Sequence, residues 1–384
     1  MKKIIYIGYY DTKNNEKENR NYVLSAVNKM TYICSAINKT GSDIEIISAS
    51  ETKNPQSYSS KMVDVFPNTK LKLFKTLAYN KNRIVRVLKR ILFFIRFSFY
   101  VLNNTDKNQN VIVYHSLGYA RLIKRLKKIK KFNLILEVEE IYSDVTGNNK
   151  TLKIEQKLFD VADAYIFPTE LLDKKVNIGK KPSAIIYGTY QVEEERDKKL
   201  FSDGKIHCVY AGTFDPRKGG AIAAVKATQY LDENYHMHII GFGSEEDKIN
   251  LLAEIEKVKK ATKATVTYDG LFSGEEYIEF IQSCDIGLST QNPNAAFNDT
   301  SFPSKILSYL ANGLIVVSIR IPVVETSKIG DMLFYYEKQT PQEIAKAIMS
   351  VDMKKEYNSR NRISELDKCF TKDILKLFND YGEK

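Results

Sequence analysis

Ile206-His207-Cys208-Val209-Tyr210-Ala211-Gly212-Thr213-Phe214-Asp215-Pro216-Arg217-Lys218-Gly219-Gly220 is the stretch that decides the fold. Its first six residues make an apolar run of strand length, and its glycines bound a turn that leads into a helical stretch. A strand passing through a glycine turn into a helix is the building unit of a parallel α/β sheet, and backbone N–H groups at such a helix start can hold an anion. Arg217 and Lys218 add positive charge there. The loop is not a Walker A motif, since Lys218 precedes Gly219 and no Ser or Thr follows to hold magnesium. Read alone, it serves equally well as an ordinary turn or as an anion cradle.

The same alternation runs outward in both directions. Beyond the loop, strands are predicted at 236–240, 266–268, 285–288, 315–318 and 333–336, with helices between them and an amphipathic last helix from Ile363 to Asp380. On the other side, Val192 to Gly204 is a charged segment without strand character and reads as a linker. Before it, strands are predicted at 3–8, 43–48, 70–75, 110–115, 132–138, 164–168 and 183–187, a helix at 20–39 ended by Gly41, and a loop over the polar 50–60. A chain of 384 residues and 44.1 kDa accommodates two domains of ordinary size. The boundaries read as 1–190 and 205–355, with 356–384 a C-terminal helix returning to the first domain.

With 43% hydrophobic and 27% charged residues, 18 Gly and 9 Pro, collagen-like, low-complexity and wholly disordered chains are excluded. Cys34, Cys208, Cys284 and Cys369 form no C-x-x-C pair, so neither a disulfide framework nor a thiolate zinc site is expected. The apolar run before Asp11 is too short for a signal peptide, which points to the cytoplasm. The formal charge of +11 is uneven: residues 1–185 hold 33 Lys and Arg against 17 Asp and Glu, the remainder 25 against 30. A basic half of this kind attracts nucleic acid, an anionic membrane surface or anionic substrates.

Two further segments add chemistry. Gly241-Phe242-Gly243-Ser244-Glu245-Glu246 is a second tight strand-to-helix turn, lacking the third glycine of a dinucleotide fingerprint, with Ser244 placed to cap the helix. Asn298-Asp299-Thr300-Ser301-Phe302-Pro303-Ser304-Lys305-Ile306-Leu307-Ser308-Tyr309-Leu310-Ala311-Asn312-Gly313 is a polar loop entering a helix that Gly313 closes. Taken in order, these three segments resemble the donor-binding domain of GT-B glycosyltransferases, and most of all family 4 with its polysaccharide-assembly members. The resemblance covers about residues 206–350; the first domain shares only topology and one histidine.

The resemblance implies a GT-B architecture, two Rossmann-like domains facing across a cleft, with the donor held by the second and the acceptor by the first. It implies a nucleotide-diphosphate sugar, with UDP the expected nucleotide, a glycan or lipid-linked saccharide acceptor, and no metal or other cofactor. Carried over residue by residue, donor contacts fall on Gly212, Thr213, Arg217, Lys218, Gly241, Gly243, Asp299, Thr300, Ser301, Lys305 and Ser308. Lys218 stands where the family places a diphosphate-binding lysine, where it stabilises the charge of the departing nucleotide. Thr213 stands where an arginine is usual, and Thr300 and Ser308 replace two glutamates, with Asp299 one residue early. These departures leave a retaining or an inverting outcome open and admit an inactive GT-B subunit that binds or stabilises a partner.

In the first domain, His115 ends an apolar strand where the family often has a histidine facing the donor sugar, although a structural role fits a lone strand-end His equally. Strand alternation puts Glu137 and Glu139 on one face and Glu140 at the mouth of the site. A carboxylate crowded by its neighbours is a candidate general base, and His115, Glu139 and Glu140 are the expected catalytic residues. From Lys81 to Leu102 a helix is predicted with Arg83, Arg86 and Arg90 in a stripe opposite Ile84, Leu88, Ile91 and Ile95. Its apolar run stops at Arg96, short of the roughly 20 residues that span a bilayer, so Arg83, Arg86, Arg90, Phe93 and Phe94 are expected to face a membrane surface. A core helix with a solvated face is the other reading. The basic run Lys124 to Lys131 favours an anionic partner, but no RNP-like strand or helix-turn-helix pattern points to nucleic acid. No Asp-x-Asp is present, and His236 and His238 alternate on a strand with no carboxylate nearby in sequence, so no metal site is expected.

Overall fold

The computed structural model describes residues 3–146, 149–196, 200–295, 298 and 300–379. The chain forms two units, Met1–Thr189 with Lys368–Lys384, and Tyr190–Asp367.

The first unit runs β1 (Ile4–Gly8), α1 (Leu24–Asn38), β2 (Ile44–Ser48), β3 (Lys61–Phe66), β4 (Thr69–Leu73), α2 (Arg83–Asn104), β5 (Asn110–Tyr114), α3 (Ala120–Lys130), β6 (Asn133–Glu137), α4 (Tyr142–Thr146), α5 (Asn149–Phe159), β7 (Ala164–Phe167), α6 (Glu170–Val176) and β8 (Ser183–Ile185). Its sheet has the order β3-β4-β2-β1-β5-β6-β7-β8. Neighbours are parallel except β3, which lies antiparallel to β4 at the edge. The central strands read as unbroken apolar runs because helices cover both faces; every residue of β1 and β2 is buried. Only β3 has no predicted counterpart. An edge strand covers one face, and its Lys-Met-Val-Asp-Val-Phe carries charge on the other.

The second unit runs β9 (Ile206–Thr213), α7 (Gly220–Ala227), β10 (Tyr235–Phe242), α8 (Glu245–Lys259), β11 (Thr265–Gly270), α9 (Gly274–Gln282), β12 (Ile286–Ser289), α10 (Ser304–Ala311), β13 (Ile315–Ile319), α11 (Pro322–Glu325), β14 (Phe334–Tyr336), α12 (Pro341–Met349) and α13 (Ser359–Asn379). The order β11-β10-β9-β12-β13-β14, all parallel, is the doubly wound arrangement with its switch point between β9 and β12. The first sheet reverses in the same way between β1 and β5. Both switch points direct attention to the loops after the carboxyl ends of these strands. Helix α13 starts four residues before its predicted beginning, and from Lys368 on it is part of the first unit. Of the predicted linker, Asp197, Lys198 and Lys199 lie outside the described residues; Glu193 and Arg196 are held to the second unit by bonds to Ala311 and Gln282.

Helix α2 overturns one expectation. Arg86, Arg90, Phe93, Phe97 and Val101 follow one another at helical spacing; Phe93, Phe97 and Val101 pack inward, while Arg86 and Arg90 stay exposed. Phe93 is 2% exposed and Phe97 fully buried, both against Phe74. Phe93 is therefore a core residue and Phe94 a half-buried one, not membrane-facing groups. Arg90 lies over the Phe94 ring and reaches the Gly118 carbonyl at 3.5 Å. The opposite, apolar face is the one in solvent: Ile84, Val87, Leu88, Ile91, Leu92, Ile95 and Phe99 are all 45% exposed or more.

Candidate functional site

In the second unit, β9 and β10 end on their glycine turns side by side. Gly212 pairs with Gly241, and a Cβ on Gly241, whose φ is +133°, would sit 1.9 Å from the Gly212 carbonyl. Only glycine permits this approach. Tyr210, two residues before Gly212 and so on the same strand face, lies beneath the turn. Above it, the Lys305 ammonium stands 3.9 Å from the centre of the Tyr210 ring and 3.2 Å from where a Gly212 Cβ would be. Lys305 is in the first turn of α10, so its charge adds to that of a helix N-terminus. Burial, and secondarily the nearby charge of Lys218, pull the Lys305 pKa down to about 7. Part of the side chain still meets solvent, but the ammonium is enclosed by ring and backbone.

The 215–219 turn is held by its own backbone. Lys218 and Gly219 N–H groups both donate to the Asp215 carbonyl, Asn292 N–H donates to the Lys218 carbonyl at 2.8 Å, and Thr290 Oγ1 donates to the Gly220 carbonyl. This leaves the exposed Lys218 ammonium free to take a ligand. Arg217 is engaged differently: its guanidinium forks onto Asp215, whose carboxyl it holds down at about 2. Ser244 is a helix cap in a reciprocal box with Asp247, and with Glu245 and Glu246 alongside, that helix start repels an anion. Gly241 and Gly243 thus act by close packing, Gly243 against Phe214. Ser308 Oγ lies 3.1 Å from the Tyr277 hydroxyl, Thr300 is buried and Ser301 half-buried, while Asp299 is outside the described residues.

In the first unit, β6 ends at Glu137, so strand alternation does not extend to the two later glutamates. Glu137 is fully buried, accepts a hydrogen bond from the Tyr6 hydroxyl, and is raised above the ordinary carboxylate range by burial and then by Glu139. Glu139 pairs with the Lys29 ammonium at 2.6 Å. Glu140 is half-buried and raised by burial, then by the charges of Glu139 and Glu155. His115 is 1% exposed, packed between the Tyr142 and Phe159 rings, with Glu155 Oε1 3.6 Å from its Nε2. Burial pulls its pKa to about 4 against the Glu140 backbone, so the ring is neutral near pH 7. Glu155, absent from the sequence reading, accepts the Tyr142 and Ser143 N–H groups at the start of α4.

Of His236 and His238, set aside as lacking a carboxylate, His238 does have one, whereas His236 meets the Thr267 hydroxyl. His238 Nδ1 lies 3.1 Å from Asp269, a partner that only the assembled strands bring to it, and the neighbouring His207 Nε2 lies 3.0 Å from Asp203, four residues earlier in the chain.

Residues 191–367 match the family described as glycosyl transferases group 1. The second unit is a glycosyltransferase group 1 domain. No curated protein matches the sequence. Among solved structures, the chain is similar to a sucrose-phosphate synthase from Thermosynechococcus elongatus, at 14% identity and TM-score 0.68 with 99% of each chain covered. It is similar to an alpha,alpha-trehalose-phosphate synthase (UDP-forming) from Burkholderia vietnamiensis, at 10% identity and TM-score 0.64, covering 99% of this chain and 97% of that one. It also resembles the Anabaena protein HepE in complex with UDP and glucose, at 11% identity and TM-score 0.59 over 98% and 99%. The shared fold is GT-B. Within the transferase domain, Tyr210 and Tyr309 are the residues sequence reasoning missed. Tyr309 Oη accepts the Ala211 N–H at 2.8 Å and fixes β9 just before its turn. For Tyr210 the i, i+2 relation to Gly212 was a readable signal.

Proposed function

We propose that the protein transfers a sugar from a UDP-sugar to a saccharide or lipid-linked saccharide at an anionic membrane surface, as a family 4-like enzyme of bacterial-type cell-surface polysaccharide assembly. The observation that carries this is the pair of lysines, Lys218 and Lys305, at the glycine floor beside the switch point of the second sheet. Both cations suit a diphosphate, and UDP in the HepE complex gives a nucleotide precedent in the same fold. In the reaction the bond from the anomeric carbon to the β-phosphate oxygen breaks, the acceptor oxygen bonds that carbon, and the acceptor proton passes to a base. The departing UDP gains negative charge, which Lys218 and Lys305 offset in place of a metal ion. Glu140, raised and half-buried, is the proposed base, and neutral His115 positions Tyr142 and the loop after β5.

The exposed apolar face of α2, with Arg83, Arg86 and Lys89 on the same helix and the basic run of α3, supports docking on an anionic leaflet. No described helix is long and apolar enough to cross a membrane. UDP release from a panel of UDP-sugars, with and without saccharide acceptors and in the presence of EDTA, tests the reaction. Turnover with one donor is expected. Lys218→Ala should weaken UDP binding by about 1.5–3 kcal/mol, the worth of a hydrogen bond to a charged group. Unchanged affinity would remove Lys218 from the site.

A further inference from the structure

At the opposite end of the second sheet, away from the glycine turns, three histidines share one face. His207 pairs with His236 across β9 and β10, and His238 follows two residues on. One ring nitrogen from each lies within 4.8 Å of the others. Each ring is also anchored by a side-chain oxygen: His207 Nε2 by Asp203 at 3.0 Å, His238 Nδ1 by Asp269 at 3.1 Å, and His236 Nε2 by Thr267 Oγ1 at 3.0 Å. Thr267 in turn donates to Asp269. The remaining nitrogens of the first two, His207 Nδ1 and His238 Nε2, face each other at 2.9 Å.

With both imidazoles neutral, these contacts are one proton short. The row Asp203, His207, His238, Asp269 has three short contacts, and each requires a hydrogen between two acceptors. Two neutral imidazoles supply only two. If each donates to its carboxylate, two bare lone pairs oppose each other at the centre; if one turns its proton inward, a lone pair opposes a carboxylate instead. A cation at the centre removes the conflict. It also reproduces the arrangement in which a metal-bound histidine donates its other N–H to a carboxylate, fixing tautomer and ring orientation.

We propose that His207, His236 and His238 bind a divalent cation of the zinc class, with Asp203, Asp269 and Thr267 as the supporting shell. Three imidazole nitrogens suit zinc, cobalt, nickel or copper rather than magnesium or calcium. The two carboxylates balance the ion's charge. Two nitrogens on a tetrahedral zinc sit roughly 3.3 Å apart given Zn–N bonds of about 2.0–2.1 Å, so the 2.9 Å gap opens by a few tenths of an ångström on binding. Phe201 stacks over His207 and His238 with ring centres 4.1 and 4.7 Å away and closes one side, while half-exposed His236 leaves a way in. The ion would fasten the 200–205 stretch, through Asp203, to β9, β10 and β11. The site is remote from Lys218 and Lys305 along the strands, so it is independent of the proposed transfer reaction.

The test uses the full chain without an affinity tag, stripped by a chelator that is then removed. Titration with Co²⁺ should give visible absorption bands saturating at one ion per chain, which Zn²⁺ bleaches, and Zn²⁺ should raise the melting temperature. His207→Asn combined with His236→Gln should abolish both signals while UDP still binds. Asp269→Asn, which keeps every ligand, should weaken binding about 10–100-fold, the usual effect of losing an outer-shell partner. Absence of cobalt bands and of a zinc shift at 1 mM metal (about 100-fold over protein), or a signal that survives in the double variant, would overturn the proposal. If the double variant does not fold, the Asp269→Asn titration decides alone: affinity equal to that of the parent chain refutes it.

Discussion

Raising the pH from 7 to 9 should weaken UDP binding through Lys305 alone. In the free protein its pKa is about 7, so half of the molecules carry the charge at pH 7. At pH 9 only about 1% do, whereas a diphosphate beside the ammonium holds the proton in the complex. Binding must then recover a proton from solvent, and affinity falls by the ratio of free-state proton deficits, roughly 50-fold or about 2.3 kcal/mol at 1.36 kcal/mol per pKa unit. The UDP terminal phosphate does not contribute, since its second ionisation, near pH 6, is nearly complete across this window.

Isothermal titration calorimetry in buffers of different ionisation enthalpy reads both affinity and proton uptake. Uptake of about half a proton at pH 7, approaching one at pH 8, is expected. Lys305→Met should bind UDP at pH 7 at least as weakly as the parent chain does at pH 9, with no further slope. Stability of the free protein runs the other way. The folded-state pKa lies below the unfolded value, so the unfolded chain binds more protons between about pH 7 and 10.4 and the fold gains stability as pH rises through that window. A change in parent-chain affinity below threefold from pH 7 to 9, or a slope that persists in Lys305→Met, would refute the reasoning.

Glu140→Gln should lower turnover by roughly 10²–10⁴ with UDP affinity kept, and the parent rate should fall as pH drops through a pKa above the ordinary carboxylate value, because the base acts deprotonated. Glu139→Gln, which strips the Lys29 ammonium of its partner, should instead show as lost stability, about 1–3 kcal/mol by chemical denaturation. On α2, Phe93→Ala should cost about 3–5 kcal/mol. Leu88→Ser, Ile91→Ser and Ile95→Ser together should leave the melting temperature nearly unchanged and reduce cosedimentation with anionic vesicles about 100-fold, on about 1 kcal/mol per side chain.

Where burial on both faces forces one kind of residue, the sequence was easy to read. The all-buried β1 is an unbroken apolar run, and β2 and β12 are nearly so, β2 being interrupted by Glu45 alone before its closing Ser48, and their positions follow from that pattern. Gly212 and Gly241 were legible too, since a close backbone approach excludes any Cβ. Lys305 was legible as a lysine in the right place, but not its lowered pKa, which comes from burial in the folded domain and secondarily from Lys218, far away in sequence. The His238 carboxylate was hidden because Asp269 is 31 residues away in sequence and reaches it only through β-sheet register, whereas Asp203 lies only four residues before His207.

Helix α2 shows why periodicity leaves a choice open. A period of 3.6 identifies stripes but does not say which one turns inward when two of them are apolar. One stripe is Ile84, Leu88, Ile91, Ile95 and Phe99; the other begins with Arg86 and Arg90 and continues as Phe93, Phe97 and Val101. The second wins because its rings fill the space around Phe74, three aromatic contacts with centroids within 6.2 Å that aliphatic side chains would not reproduce. Arg90, at the exposed end of this stripe, lays its guanidinium on Phe94 and its tip at Gly118. The first stripe is then left in water, a row of large side chains that adds nothing to the fold and costs solubility. That row is what the proposed docking would cover, which is why the vesicle assay, and not a stability measurement, is the experiment that reads α2.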